Sequence, residues 1–231
     1  MIDYKKYFKI IEELKTIPHL DLLKQYDISK VKNEANQIKE FIKYKSKDNL
    51  SKDPYVKTWS GVSLYGLNGD QYQPYMANWP KEFNPYTEAG IKNMSITPIG
   101  KICPYIMSVM QDLGIEKMLS RIMRISPNSS LEFHSHSLKH GQPDNILTVQ
   151  IPIYVPEKFK YVVKSINDNK TYEETYKEGR AYIFNSYHYH KVVNESNKRR
   201  LSIVAYMDLT ENKCLDIVEN AILNYKGPKI L

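Results

Sequence analysis

The stretch LEFHSHSLKHGQPDNILTVQIPIYV, residues 131–155, joins a histidine-rich approach to a run with the composition of a buried strand. Its second half decides the fold. Leu147, Val149, Ile151 and Ile153 share one parity, while Thr148 and Gln150 share the other. A period of two over so apolar a run marks a β-strand. The neighbouring chain reads the same way. RIMRIS (121–126) and LEFHSHS (131–137) precede or open it. FKYVVKSI (159–166), KTYEETYKE (170–178), GRAYIFN (179–185), HKVVNES (190–196) and RRLSIVAYMDL (199–209) follow. Eight short strands separated by turn signals predict an antiparallel barrel or sandwich.

Further out the period changes. Tyr4, Phe8, Ile11 and Leu14 fall at helical spacing, and Ile28, Val31, Ala35, Ile38 and Ile42 line one face of a second predicted helix over 28–45. Residues 45–54 read as a polar connector. VKTWSGVSLYGL (56–67) has strand character and ends in the turn signal NGD, and residues 70–100 read as an irregular loop rich in Pro, Asn and Tyr. CPYIMSVMQDLGIEKML (103–119) is an amphipathic helix, and NKCLDIVENAILNY (212–225) closes the chain as a helix capped at Thr210. The plan is a helical segment over 1–55 packed on a β domain over 56–210, with a C-terminal helix over 211–231. The fold class is mainly β with flanking α-helices.

The totals bound the function. The chain has 231 residues, 42% hydrophobic and 26% charged, ordinary values for a globular protein with one substantial core. No apolar run reaches the ~18 residues that a membrane-spanning helix needs, and the N-terminus lacks the apolar centre of a signal peptide. The two cysteines, Cys103 and Cys214, are far apart and form no CxxC pair, so a disulfide framework or cysteine zinc site is disfavoured and a cytoplasmic setting expected. A net charge of +7 leaves nucleic-acid binding open, but the lysines are spread rather than clustered, so it is not favoured.

Three of the six histidines, His134, His136 and His140, crowd into one segment, and YHYH (187–190) supplies two more. On a strand, His134 and His136 point to one face, about 7 Å apart. With His190 they make a nitrogen site for iron, or for zinc, copper or nickel, with an open face for water and substrate. His140 sits in a turn-rich loop and is expected to be exposed. His188 shares the parity of His190 and is a candidate auxiliary ligand or substrate contact, whereas His19 reads as structural.

These residues resemble a family. Arg121–Pro127, Leu131–His134, Ile151–Pro152, Gly179–Asn185, and His190, Val192, Asn194 and Arg200 occur in the order seen in the double-stranded β-helix oxygenases that use Fe(II) and 2-oxoglutarate. The aspartyl/asparaginyl β-hydroxylase branch fits best, over roughly residues 56–210. The resemblance implies a jelly-roll, cupin-like barrel and hydroxylation of an amino acid or peptide side chain, with succinate and CO2 as coproducts. It implies His134 and His190 as iron ligands, and Arg200, helped by Ser202, as the anchor of the distal carboxylate of 2-oxoglutarate. Planar bidentate pairing suits that task. Thr148 and Gln150, with Arg124 and Ser126 before the proline turn, are expected to line the cosubstrate pocket. The Tyr-rich loop 62–87 is expected to face the substrate.

The pattern departs from the family at His136, where most relatives carry a carboxylate. Some β-hydroxylases manage with two histidines and water. Glu132 has the wrong parity to substitute, and Asp144 would need the loop to fold back. Two alternatives stand beside the resemblance: a three-histidine cupin-type enzyme that ignores 2-oxoglutarate, and a non-enzymatic basic binding module.

Overall fold

The computed structural model describes residues 3–44, 58–75, 79–80, 83, 86–136 and 142–230. Among them the strands are β1 (His19–Gln25), β2 (Ile42–Lys43), β3 (Trp59–Leu67), β4 (Met94–Ile96), β5 (Ser120–Ile125), β6 (Ser129–Ser130), β7 (Ile146–Tyr154), β8 (Phe159–Lys164), β9 (Thr171–Glu174), β10 (Arg180–Phe184), β11 (Tyr189–Asn194) and β12 (Arg200–Asp208). The larger sheet has eight strands in the order β1-β10-β7-β12-β5-β3-β2, with β4 also on β3. The smaller has four, in the order β6-β11-β8-β9. Every pairing is antiparallel. The expected double-stranded β-helix therefore stands as two sheets, which the described residues do not close into a barrel.

The parity of β7 carries through. Leu147, Val149, Ile151 and Ile153 join Ile203, Ala205 and Met207 of β12 in the main core, together with side chains from the helices. Those helices are α1 (Tyr4–Thr16), α2 (Ile28–Ala35), α5 (Pro104–Asp112) and α6 (Asn212–Leu223). They cover the outer face of the larger sheet. The other parity faces the smaller sheet. There Ile125, Tyr182 and Phe184 of the larger sheet pack against Phe159 and Tyr161 of β8 and against Leu131 and Tyr176.

Local chemistry explains the helix ends. Asp3 caps α1 by accepting from Lys6 N, and Asp27 caps α2 by accepting from Ser29 N and Lys30 N. Cys103 offers α5 no side-chain cap. Glu34 of α2 supplies it instead, its two oxygens accepting from Tyr105 N (2.7 Å) and Ile106 N (2.8 Å). A carboxylate at a helix N-terminus is worth about 1–2 kcal/mol when partly buried.

Several expected elements are corrected. The N-terminal segment is not wholly helical: Leu20 and Leu22 bury alternately and β1 extends the larger sheet. The helix expected over 28–45 stops at Ala35, because Ile42–Lys43 pairs with β3 at Gly61 and Ser60. The 103–119 helix ends at Asp112, where Gly114 adopts φ +73°. Residues 70–100 hold α3 (Glu88–Lys92), β4 and α4 (Pro98–Lys101) rather than a continuous loop. α6 begins after Glu211, and Thr210 gives it no side-chain cap; its N–H is held by Asp208. Of the loop expected to face the substrate, residues 62–67 are strand, and 76–78, 81–82 and 84–85 lie outside the described residues. So does His140. No helix among the described residues is long and apolar enough to cross a membrane.

Candidate metal centre

LEFHSHS is not a regular strand. The strand just before it, Ser129–Ser130, pairs with Asn194 and Val193 of β11. Beyond it the chain stays beside β11 through Leu131 N–H to Val192 O (3.0 Å) and then a reciprocal pair: His134 N–H to His190 O (3.1 Å) and His190 N–H to His134 O (2.8 Å). Two histidines 56 positions apart are thus locked as direct cross-strand neighbours. Ser135 Oγ ties the same segment to Ser186 O at 3.1 Å.

His134, His136 and His190 converge. Their ring centroids are 4.3 Å (134–190), 4.7 Å (136–190) and 5.3 Å (134–136) apart, and one nitrogen from each lies within 4.8 Å of the other two. His134 and His190 are buried and His136 half-buried. Each Nδ1 faces an oxygen that can only accept. His134 Nδ1 meets Glu132 O at 2.9 Å, His190 Nδ1 meets His188 O at 3.2 Å, and His136 Nδ1 meets Gln142 Oε1 at 3.2 Å. The Gln142 amide is oriented by its Nε2, which donates to Ile146 O. Those contacts place the proton on Nδ1 and the lone pair on Nε2, the outer-shell arrangement of metal-bound imidazole. Phe184 packs 4.7 Å from His190 and 6.2 Å from His136, giving the site an apolar wall.

Arg200 opens β12 on the inner face and is 2% exposed. Its Nη2 donates to Gln150 Oε1 at 2.6 Å and to the Tyr161 hydroxyl, and its guanidinium lies 5.2 Å and 5.3 Å from the Phe159 and Tyr161 ring centres. Burial holds its pKa below the usual arginine value. Among the described residues no carboxylate pairs with it, and its Nε has no hydrogen-bond partner. Ser202 Oγ and Thr148 Oγ1 on the same inner wall are likewise buried without a partner. Ser202 is two positions from Arg200, whereas Thr148 pairs with Tyr206, six positions or about 20 Å along β12, and is too far to share one carboxylate with Arg200. A buried cation beside an unmet hydroxyl is costly unless an anion joins them. These residues therefore fit a dicarboxylate, as the three imidazoles fit a divalent transition metal.

Four expected site residues, Arg200, Ser202, Gln150 and Thr148, thus share the inner wall, and the three expected ligands meet. Two do not belong. Arg124 pairs with Leu201, so it takes the opposite face from Arg200; its Nε donates to Ser60 Oγ at 2.9 Å and its guanidinium covers Phe41 at 4.6 Å. Ser126 serves through its carbonyl, which accepts from Ser129 Oγ (2.7 Å) and Asn194 Nδ2 (2.9 Å). His188 is also corrected: Nδ1 accepts from Ile166 N–H at 3.2 Å and Nε2 donates to Lys15 O at 3.0 Å, so both nitrogens serve the scaffold. His19 is structural as expected, bonded to the Tyr176 hydroxyl (2.8 Å) and Tyr172 O (3.1 Å). The sequence reading missed Tyr161, Phe184 and Gln142. Parity alone could have flagged Tyr161, two residues from Val163, which pairs with His190. Gln142 sits in a loop with no such signal.

Comparison with known proteins follows the same line. The family model described as aspartyl/asparaginyl beta-hydroxylase matches residues 25–209. No curated protein sequence matches the chain. Among solved structures, an oxidoreductase of the 2OG-Fe(II) oxygenase family from Burkholderia pseudomallei aligns with TM-score 0.53 and 11% identity, over 86% of this chain and 88% of its own. A prolyl hydroxylase from Trichoplax adhaerens, in complex with a hypoxia inducible factor peptide fragment, aligns with TM-score 0.51 and 12% identity, over 93% and 96%. At such identities the likeness is one of fold, and the fold is the two-sheet jelly roll.

Proposed function

We propose a function from one premise: the chain belongs to the aspartyl/asparaginyl β-hydroxylase family. It is a 2-oxoglutarate-dependent hydroxylase whose metal is Fe(II). The finer reading is that His134, His136 and His190 hold the metal through Nε2, and that Arg200 with Ser202 and Gln150 holds the distal carboxylate of 2-oxoglutarate. The substrate is an amino acid or a peptide side chain. The carrying observation is the buried Arg200, which meets no carboxylate among the described residues and lies two positions from the unmet Ser202 hydroxyl.

When bound, the metal and cosubstrate supply the oxidising chemistry, in which dioxygen is consumed, 2-oxoglutarate becomes succinate and CO2, and a C–H bond is hydroxylated. The chain's own residues bind, orient and exclude water. Donation from each Nδ1–H keeps the ring nitrogen facing the metal basic and fixes the ring plane. His136 stands where the resemblance leads one to expect a carboxylate, so three neutral imidazoles would hold the metal, and of the diacid's two charges only the one not paired with Arg200 would offset it. Tyr161 and Gln150 aim the Arg200 guanidinium, which lowers the entropic cost of binding the carboxylate. Phe159, Tyr161 and Phe184 keep the space between the two sheets dry.

The test is succinate release on adding Fe(II), 2-oxoglutarate and ascorbate under air. The wild type is expected to form succinate, and Arg200→Gln to raise the 2-oxoglutarate requirement about 30- to 4000-fold, the range for truncating one partner of a buried charge pair. Turnover indifferent to both 2-oxoglutarate and Arg200 would instead support the three-histidine enzyme that ignores this cosubstrate.

A further inference from the structure

Tyr176 follows β9, is 1% exposed between the two sheets, and has no task in holding the metal or the diacid. Its hydroxyl meets His19 Nδ1 at 2.8 Å, and His19 Nε2 meets Tyr172 O at 3.1 Å. A carbonyl can only accept, so Nε2 carries the imidazole proton and the Nδ1 lone pair accepts from the Tyr176 hydroxyl. Burial holds the His19 pKa down at about 4, so the ring meets the phenol as a neutral base at neutral pH. A buried phenol that loses an electron alone would strand a radical cation in a dry setting, which is costly. Here the proton can leave with the electron. The imidazolium that results would be favoured by its bond to the Tyr172 carbonyl. Were the pair only a peg between β1 and β9, any neutral acceptor would hold the phenol as well.

The ring of Tyr176 is also stacked on both faces. It lies 3.9 Å from Tyr161 at 20° and 4.1 Å from Tyr182 at 9°. Both spacings are tighter than the ~4.5–7 Å usual for aromatic pairs, so the three phenols form one column. Tyr161 leads inward: its hydroxyl accepts from Arg200, and its ring is 6.4 Å from Phe184, which lies 4.7 Å from His190. Tyr182 leads outward, its hydroxyl accepting from Lys177 N–H at 3.1 Å, and Lys177 is exposed. The column thus runs from the candidate metal centre to the surface, with a proton acceptor at its middle ring.

We propose that Tyr176 is a redox-active tyrosine, paired with His19, that drains an oxidising equivalent stranded at the metal centre. This rests on the hydroxylase reading and goes beyond it. Decarboxylation of 2-oxoglutarate with no substrate in the cleft leaves an oxidant there with no C–H bond to attack. Tyr176 gives that centre one electron through Tyr161, while solvent gives it one proton. The Tyr176 O–H bond breaks and its proton passes to His19 Nδ1, leaving a neutral phenoxyl radical beside an imidazolium. An external one-electron reductant, ascorbate in the assay, restores the phenol through Tyr182 as His19 returns the proton. A second electron from ascorbate and a second proton from solvent return the metal to Fe(II) and release the oxygen atom as water. The ligand histidines are spared.

The test mixes the full chain, Fe(II) and 2-oxoglutarate with oxygenated buffer, without substrate or ascorbate. Freeze-quench electron paramagnetic resonance and succinate are read in the same samples. Wild type is expected to form succinate and a tyrosyl signal that narrows when the chain is made with ring-deuterated tyrosine. Tyr176→Phe should lose that signal and become inactive after fewer turnovers without substrate. His19→Gln keeps an acceptor for the phenol but no base, and should lose most of the signal, which a merely structural pair would leave unchanged. If Tyr176→Phe fails to fold, His19→Gln decides by the same signal. Succinate without a tyrosyl signal in wild type, or a signal that survives undiminished in either variant, overturns the proposal. No succinate from wild type would strike the hydroxylase reading, and this inference with it.

Discussion

At the level of single residues, His136 and Gln142 separate two versions of the metal centre. His136 occupies the position where the resemblance leads one to expect a carboxylate, and its Nδ1 is held by a glutamine whose own amide is held in turn by Ile146 O. If His136 is a ligand, that support tunes it, and Gln142→Leu should weaken metal affinity about 10- to 100-fold. His136→Ala should cost more, at least ~100-fold, both measured by chelator competition. Unchanged affinity in both would leave a two-histidine centre. The sequence made the candidate ligands legible because His134, His136 and His190 are rare, ordered and paired with strand signals. Arg124 misled for a physical reason: RIMRIS carries an arginine and apolar side chains on both parities, so parity says which residues share a face but not which face is inside. Only the pairing of Arg200 with Ile125 and of Leu201 with Arg124 settles it.

At the level of elements, the contacts that hold the histidine strand in place also hold the first helix. Asn185, at the end of the Gly179–Asn185 motif, donates from Nδ2 to Leu14 O and Ile17 O at 3.0 Å each, closing the C-terminus of α1. β1 pairs with β10 just after that helix, and His19 opens it. Burial pushes the His19 pKa from 6.5 down to about 4. The unfolded chain therefore takes up a proton as pH falls below about 6.5, while the folded chain resists until about 4, so stability is lost across that window and is fully present above it. His19→Gln is expected to flatten the part of the acid limb lying between those values in urea denaturation followed by circular dichroism. An unaltered limb would mean that His19 is not buried as described. β1 escaped the sequence reading because HLDLLKQ is short, charged and broken by Leu23 at φ 58°, whereas the long apolar β7 and β12 were plain. Its strand state comes from pairing with β10, a tertiary effect that local propensity does not carry.

Across the whole molecule, helices cover one face of the larger sheet and leave the other to meet the smaller sheet, so the polar inner residues can face only each other or a ligand. The native fold is therefore expected to gain stability when the cleft is filled. Mn(II) with N-oxalylglycine at about 100 times its Kd should add roughly 2.7 kcal/mol, or about 5–10 °C in Tm for a chain of this size. Arg200→Gln should forfeit most of that gain, and equal gains in both proteins would contradict the assignment. The surplus of positive charge, +7, should also draw the diacid in, with an association rate that falls as salt is added.

The central claim is that one cleft holds a metal on three imidazoles and a diacid on a buried arginine. A crystal structure grown anaerobically with Mn(II) and N-oxalylglycine tests it most directly. The account expects the ion on Nε2 of His134, His136 and His190, and the distal carboxylate paired with Arg200 and bonded to Ser202. An ion bound elsewhere, or the inhibitor's carboxylate pointing away from Arg200, would contradict it.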